Sequence, residues 1–433
     1  MADPYLSVVA TSRNDNHGGD LTRRMQLFLD GLAGQANRHQ VTVELVLVEW
    51  NPPPDRPGLR EALRWPTATA FFRPRIVVVP SEVHARLDPQ QGLPLFQMIA
   101  KNVGIRRARG RFVLATNVDI LFPDPLLDAV KDGLREGVLY RNDRLDVSRE
   151  IPEAAPFDEL MAFCREHVLR RHEARGTLMP VDGSWLNTSP SAIDACRQKM
   201  VGWCAELAQT CERRLRTGVT SLSSRVWPSA FLAMKRRLSV AMAAHPRLRS
   251  LSRRLAAITL GPPLVAHHYL FCVGPFASAR LFVDGMRQLE RVFEVNRTFE
   301  RLHTNGCGDF TLLDRETWFR LRGYPEWPVF SWAIDSVFLF QADANHVGNV
   351  QWPADRCTYH IDHGGGWTPE DQANLFARLR QKGIPVLSEQ DFFRLWDEMR
   401  DKKRRRESLV YNADDWGFAG VDLREEAPGA PGG

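Results

Sequence analysis

The stretch GRFVLATNVDILFPDP (residues 110–125) places an amide and a carboxylate, Asn117 and Asp119, two positions apart at the end of an apolar run. Residues i and i+2 at a strand end face the same way, so both side chains are expected to enter one site. Oxygen donors so placed suit Mg2+ or Mn2+ bridging the phosphates of a nucleotide. The same pair also suits an Asx turn that holds no ligand. A second group is YHIDHGGGW (359–367), where His360, Asp362 and His363 stand on a strand entering a glycine-rich loop. Strand parity puts His360 and Asp362 on one face, with His363 past the strand. Imidazole joins carboxylate readily on a divalent ion. The third is Asp335 in SWAIDSVFLFQA, which reads as a helix start. There the macrodipole favours an ionised carboxylate, whether as a general base or as an ordinary first-turn residue.

Elements must position these groups. YLSVVAT (5–11), VTVELVLVEW (41–50), RIVVVP (75–80) and RFVLATNVD (111–119) read as strands, and LTRRMQLFLDGLAGQANR (21–38) and LFQMIAKNVGIRRAR (95–109) as helices between them. Nearly continuous apolar strands alternating with helices predict a parallel sheet covered on both faces. Ligands of such open sheets bind beyond the carboxyl ends of the strands. Those ends are TSRNDNHGGD (11–20), EWNPP (49–53) and TNVD (116–119), all polar, which predicts a cleft along this edge. NHGG (16–19) reads as a mobile lip, since two glycines do not make a phosphate loop.

The 433 residues are 44% apolar and 25% charged with net charge +5, the composition of a globular chain of two or three units. Seven scattered cysteines without a C-x-x-C pair argue against a disulfide scaffold or structural zinc and fit a reducing compartment. No basic region followed by an apolar core opens the sequence, and no uninterrupted apolar run of about 18 residues occurs, so neither a leader nor a membrane span is expected. From Arg213 to Val283 there is no Asp or Glu, while Arg and Lys recur. A largely helical, basic insertion is therefore expected over 150–299, its basic face either solvated or lying on an anionic membrane surface or acceptor. Helices are expected over 369–383 and 388–402, within a helical segment ending at 423, and the tail 424–433 reads as disordered.

YLSVVATSRND resembles the opening strand of family-2-like glycosyltransferases of GT-A fold, and AKNVGIRRARGRFVLATNVDILFPDP resembles their segment carrying a metal-binding D-x-D. GDFTLLDRETWFRLRGYPE is similar to the acceptor-side segment that follows, and AIDSVF stands where the family has an acidic pair containing its base. The resemblance covers 5–140 and 303–365. It implies a mixed GT-A sheet flanked by helices, the nucleotide-sugar half in 1–149 and the acceptor half in 300–368. Two positions depart from the family: Asn117 replaces the first Asp, and Ile334 replaces the acidic residue before Asp335.

The resemblance further implies a UDP- or GDP-sugar donor held by Thr11, Ser12, Arg13, Glu49, Asn102, Asn117 and Asp119. It implies Mn2+ or Mg2+ on Asp119 and Asn117 with His363 or His360, and Asp335 as the base of an inverting transfer. Asp309, Trp332 and Trp367 would face a glycan or lipid-linked acceptor. The expected setting is cytoplasmic, peripheral to the inner face of the cell membrane, in polysaccharide biosynthesis. A nucleotidyltransferase on a similar sheet and a non-catalytic nucleotide- or polyanion-binding protein are the alternatives. Nucleic acid is not an expected partner, since the insertion lacks interleaved aromatic residues.

Overall fold

The apolar runs of the first 120 residues form the parallel strands that their composition predicts. The structure is a computed structural model in which residues 3–88, 92–153, 155–190, 302–364 and 369–428 are described. Strands β1 (Leu6–Ser12), β2 (Val43–Trp50), β3 (Phe72–Val79) and β4 (Phe112–Ala115) lie parallel in the order β3-β2-β1-β4. Every residue of β1, β2 and β4 is buried, as covering on both faces requires. Between them run α1 (Leu21–His39), the single turns α2 (Leu59–Ala62) and α3 (Ser81–His84), and α4 (Gln97–Arg107). Past β4 come β5 (Ile120–Leu121), α5 (Asp124–Lys131), β6 (Val138–Arg141) and β7 (Arg144–Val147).

Successive residues of a strand face opposite sides. Accordingly Val8, Ala10, Leu45 and Leu47 pack against Met25, Phe28 and Leu32 of α1. Val9, Val46 and Val48 pack on the other side against Ile99 and Val103 of α4. Trp318 of α7 (Arg315–Leu321) and Phe338 of α8 (Ile334–Ala344) complete that second layer.

The remaining strands make the architecture mixed α/β with two mixed sheets. They are β8 (Val168–Glu173), β9 (Gly176–Val181), β10 (Ser184–Pro190), β11 (Thr311–Asp314), β12 (Gly348–Gln351), β13 (Thr358–Ile361) and β14 (Arg424–Glu426). The first sheet runs β12-β6-β11-β4-β1-β2-β3-β14, with β11 antiparallel to both β4 and β6. The second runs β10-β9-β8-β7-β13-β5. Helices α6 (Phe157–Glu166), α9 (Pro369–Gln381) and α10 (Glu389–Arg405) complete the described elements, α10 opening on a Ser388–Asp391 capping box.

Two expectations are corrected. The stretch from 150 onward is not helical throughout: after α6 it forms the antiparallel strands β8, β9 and β10. Asp182-Gly183, both at positive φ, make the two-residue hairpin turn between β9 and β10 that such a pair favours. The tail is also ordered further than expected. Residues 424–426 add as β14 to the edge of β3, whose open backbone groups invite pairing, and Glu425 binds Arg75 at 2.6 Å.

The chain divides into two units, Met1–Pro190 with Thr298–Gly433, and Ser191–Arg297. The core of the basic insertion (191–301), Trp367 and the last residues (429–433) lie outside the described residues. Among the described residues no helix is long and apolar enough to cross a membrane.

Candidate metal centre and active site

Strand β4 stops at Ala115, and residues 118 and 119 form a turn, so the parity that would align Asn117 with Asp119 does not hold. The chain re-enters as β5, whose Ile120 pairs with His360 of β13. The Ile361 N–H donates to the Asp119 carbonyl at 3.0 Å. That pairing carries the Asp119 carboxylate to two imidazoles. Its Oδ2 lies 3.7 Å from Nε2 of His360 and 3.6 Å from Nε2 of His363. One donor atom from each of the three residues lies within 4.8 Å of the others. Ligands bound at about 2.1 Å and near 90–110° stand about 3.0–3.4 Å apart, so the three groups would have to draw closer together to hold a cation.

His360 is oriented from behind. Its Nδ1 lies 3.0 Å from Oδ1 of Asp146, which stands opposite it in the parallel pairing of β13 with β7. A carboxylate on one ring nitrogen fixes the other toward a metal. Asp146 is fully buried and also binds Arg144 at 2.9 Å, Arg170 at 2.8 Å and His172 at 2.9 Å. Burial alone would raise its carboxyl, but Arg144 and His360 hold it well below the usual range. Burial pushes the His363 imidazole down to about 4, which leaves it neutral and able to ligate. For His360, burial and Arg144 pull downward, and Asp119 and Asp146 outweigh them to raise it.

Arg24, on the first turn of α1, donates from Nη1 to Asp119 Oδ2 at 2.5 Å and from Nη2 to the His17 carbonyl. Arg24 thereby bonds two carbonyls of the NHGG loop, those of His17 and Gly19. Gly18 sits at φ +71°, and a Cβ there would stand 2.6 Å from Nδ1 of His363, so only glycine lets the loop cover that ring.

Asn117 turns to other partners. Its Oδ1 accepts from Gln97 and from Lys101, each at 2.8 Å, and its Nδ2 donates to Asp309. Both acceptor lone pairs are occupied, so Asn117 offers nothing to a cation in this arrangement. Asp309 is buried and ion-paired to Arg144, which makes it a strut between Arg144 and Asn117 rather than an open acceptor contact. Burial would raise its carboxyl, and Arg144 reverses that. Lys101 is fully buried, donates also to the Gly308 carbonyl at 2.6 Å, and is pushed by burial down to about 8.

Asp335 is half-buried in the first turn of α8, where its Oδ1 accepts from the Ser336 N–H at 2.8 Å. A Cβ at Gly308 would stand 3.0 Å from its Oδ2, so the carboxylate adjoins the segment that Lys101 grips. Burial raises its carboxyl against the opposing pull of Cys307, Ser336 and Lys101. Ala333, just before the helix, is held at φ +68°, a conformation costing about 1–3 kcal/mol that clusters at functional sites.

The strand-end residues divide. Thr11 donates its hydroxyl to the Val48 carbonyl at 3.1 Å, and Ser12 is buried beside it. Arg13 reaches the Pro94 carbonyl at 3.5 Å and Asp15 at 3.6 Å. Glu49 is buried, not solvated, and accepts from the Leu59 N–H at the start of α2 at 2.8 Å. Burial raises its carboxyl. Asn102 is not at the cleft edge as a donor contact. It is fully buried, bonding the Tyr324 N–H at 2.9 Å, the Tyr324 carbonyl at 2.8 Å and Glu326 at 2.9 Å. Trp332 is half-buried and packs edge-on against Phe376 of α9 at 5.4 Å.

Arg24, Lys101 and Asp146 carry much of the site and were not singled out by sequence reasoning. Helices α1 and α4 and strand β7 each carry other charged or polar residues, so nothing in the sequence marks these three as the buried ones. Compared with known proteins, the sequence matches no family model and no curated protein.

Proposed function

We propose that this protein is a glycosyltransferase of GT-A type that moves a sugar from a nucleoside-diphosphate donor to an acceptor hydroxyl. The observation that carries the reading is the convergence of Asp119, His360 and His363 just beyond β4. Strand order reverses between β1 and β4, and open α/β sheets bind ligands outside the carboxyl ends of strands at such a point. Two imidazoles and a carboxylate favour Mn2+ over Mg2+, which prefers oxygen ligands and retains its waters. Held there, the ion would supply electrostatic stabilisation of the departing diphosphate. Asp335 takes the acceptor's proton, its carboxyl raised toward the working pH as a general base requires. Lys101 holds Asn117, two residues from Asp119, and the Gly308 carbonyl, in the segment beside Asp335.

Calorimetry with UDP and GDP, with and without Mn2+, tests the reading. Nucleotide binding that needs Mn2+ and disappears in Asp119→Ala supports it. Absence of binding to either nucleotide in the presence of Mn2+ rejects it. Slow hydrolysis in a screen of nucleotide sugars then identifies the donor, because cleavage by water does not require the natural acceptor.

A further inference from the structure

Arg24 occupies the oxygen that a cation would need. The residue is 2% exposed, and its Nη1 lies 2.5 Å from the same Asp119 Oδ2 toward which His360 and His363 turn. Its remaining bonds go to uncharged carbonyls, His17 at 2.5 Å and Gly19 at 3.2 Å. A guanidinium keeps its charge at any physiological pH. A cation entering between Asp119 and the imidazoles therefore meets a second positive charge on the same carboxylate. Removing the partner of a buried charge is strongly unfavourable unless another partner replaces it. A diphosphate is such a partner, since the planar fork of arginine matches phosphate oxygens bidentately.

We propose that Arg24 is both the internal counter-ion of Asp119 in the unloaded protein and the residue that grips the donor's diphosphate once a divalent cation takes Asp119. Cation and diphosphate then bind as a coupled pair, each weak without the other. The inference rests on the reading of the Asp119–His360–His363 group as the metal site of a nucleotide-dependent enzyme. It adds a role for a helix α1 residue in making donor and metal arrive together. Because Arg24 also holds the carbonyls of His17 and Gly19, the loop over His363 follows the same exchange.

The test is calorimetry on the full chain with two probes, Mn2+ alone and preformed Mn2+–pyrophosphate. Wild type is expected to bind Mn2+–pyrophosphate more tightly than Mn2+ by about fivefold or more, the lower end of ordinary coupling between sites. Arg24→Gln is expected to bind Mn2+ alone more tightly than wild type and to lose the advantage of pyrophosphate. Arg24→Lys keeps the charge, so its affinity for Mn2+ alone should stay near wild type, which separates charge from any loss of packing. If Arg24→Gln binds Mn2+ no more tightly and still prefers Mn2+–pyrophosphate, the proposal is overturned while the metal site stands. If neither wild type nor Arg24→Gln binds either probe, the proposal and the metal reading fall together.

Discussion

Nδ1 of His360 lies 3.0 Å from Oδ1 of Asp146, across the parallel pairing of β13 with β7. The carboxylate decides which imidazole nitrogen is left for a metal. Asp146→Asn retains shape and removes the charge, so Mn2+ affinity should fall about 10–100-fold, the usual loss for such a supporting partner. Asp146→Ala also removes one of the two buried carboxylates that pair with Arg144, leaving Asp309, and should lower unfolding free energy by up to about 3–5 kcal/mol. Metal titration reads the first effect and urea unfolding the second. Unchanged Mn2+ affinity in Asp146→Asn would remove His360 from the ligand set.

Asp335 stands at the first turn of α8 with its carboxyl raised by burial. A raised acid is favoured in its neutral form by the folded state. Its stability contribution is therefore present below the ordinary carboxylate range and is lost as pH rises through the raised value. On the proposed reading Asp335 is a base that must be ionised, so the rate should run the opposite way and climb with pH through that same value. Asp335→Asn should cut turnover by about 10²–10⁴-fold while leaving Mn2+–nucleotide affinity near wild type. Equal losses of turnover and binding would mark Asp335 as structural.

Lys101 is fully buried between Asn117 and the Gly308 carbonyl, to both of which it donates, and burial lowers it from the ordinary lysine range to about 8. Between pH 8 and roughly 10.4 the unfolded chain binds the proton that the folded chain has released, so folding stability gains with rising pH across that window. Below pH 8 both states are protonated and the full cost of the buried charge, about 3 kcal/mol, is present. Burial raises the cysteine and tyrosine groups, which therefore contribute with the opposite sign as the unfolded chain loses those protons, so the readout is the difference between wild type and Lys101→Met. Wild type should gain on the variant by up to about 3 kcal/mol from pH 8 to 10.4. A flat difference would show that the lysine is not desolvated.

The legible part of this protein is the part in which local pattern and burial agree. Continuous runs such as VELVLVE can satisfy two apolar faces only inside a covered parallel sheet, and β1 to β4 adopt that arrangement. His360 and Asp119 meet because β13 pairs with β5, a long-range register that spacing does not encode. Strand parity misplaced Asn117 because β4 ends at Ala115, four residues before the end of the strand read over 111–119. Arg24, Lys101 and Asp146 were illegible for a related reason: a buried charge is tolerated only through partners, and those partners come from distant segments. The hairpin at Asp182-Gly183 was legible in its turn chemistry, and the basic composition beyond it masked the signal.

Asn102 and Gly323 provide the sharpest check on which residues are structural. Asn102 bonds both backbone groups of Tyr324, and Gly323 sits at φ +69°, where a Cβ would stand 2.3 Å from Asn102 Oδ1. Asn102→Ala leaves the buried Tyr324 N–H without its acceptor, while the Tyr324 carbonyl keeps Asn412 at 2.6 Å, and should cost about 1–3 kcal/mol. Gly323→Ala adds backbone strain of about 1–3 kcal/mol and a direct collision with the amide. Removing the amide first relieves that collision, so the double variant should be destabilised by less than the sum of the two single changes. Urea unfolding of the four proteins measures the cycle. Nucleotide affinity of folded Asn102→Ala should match wild type; a loss confined to binding, with stability intact, would return Asn102 to the donor site.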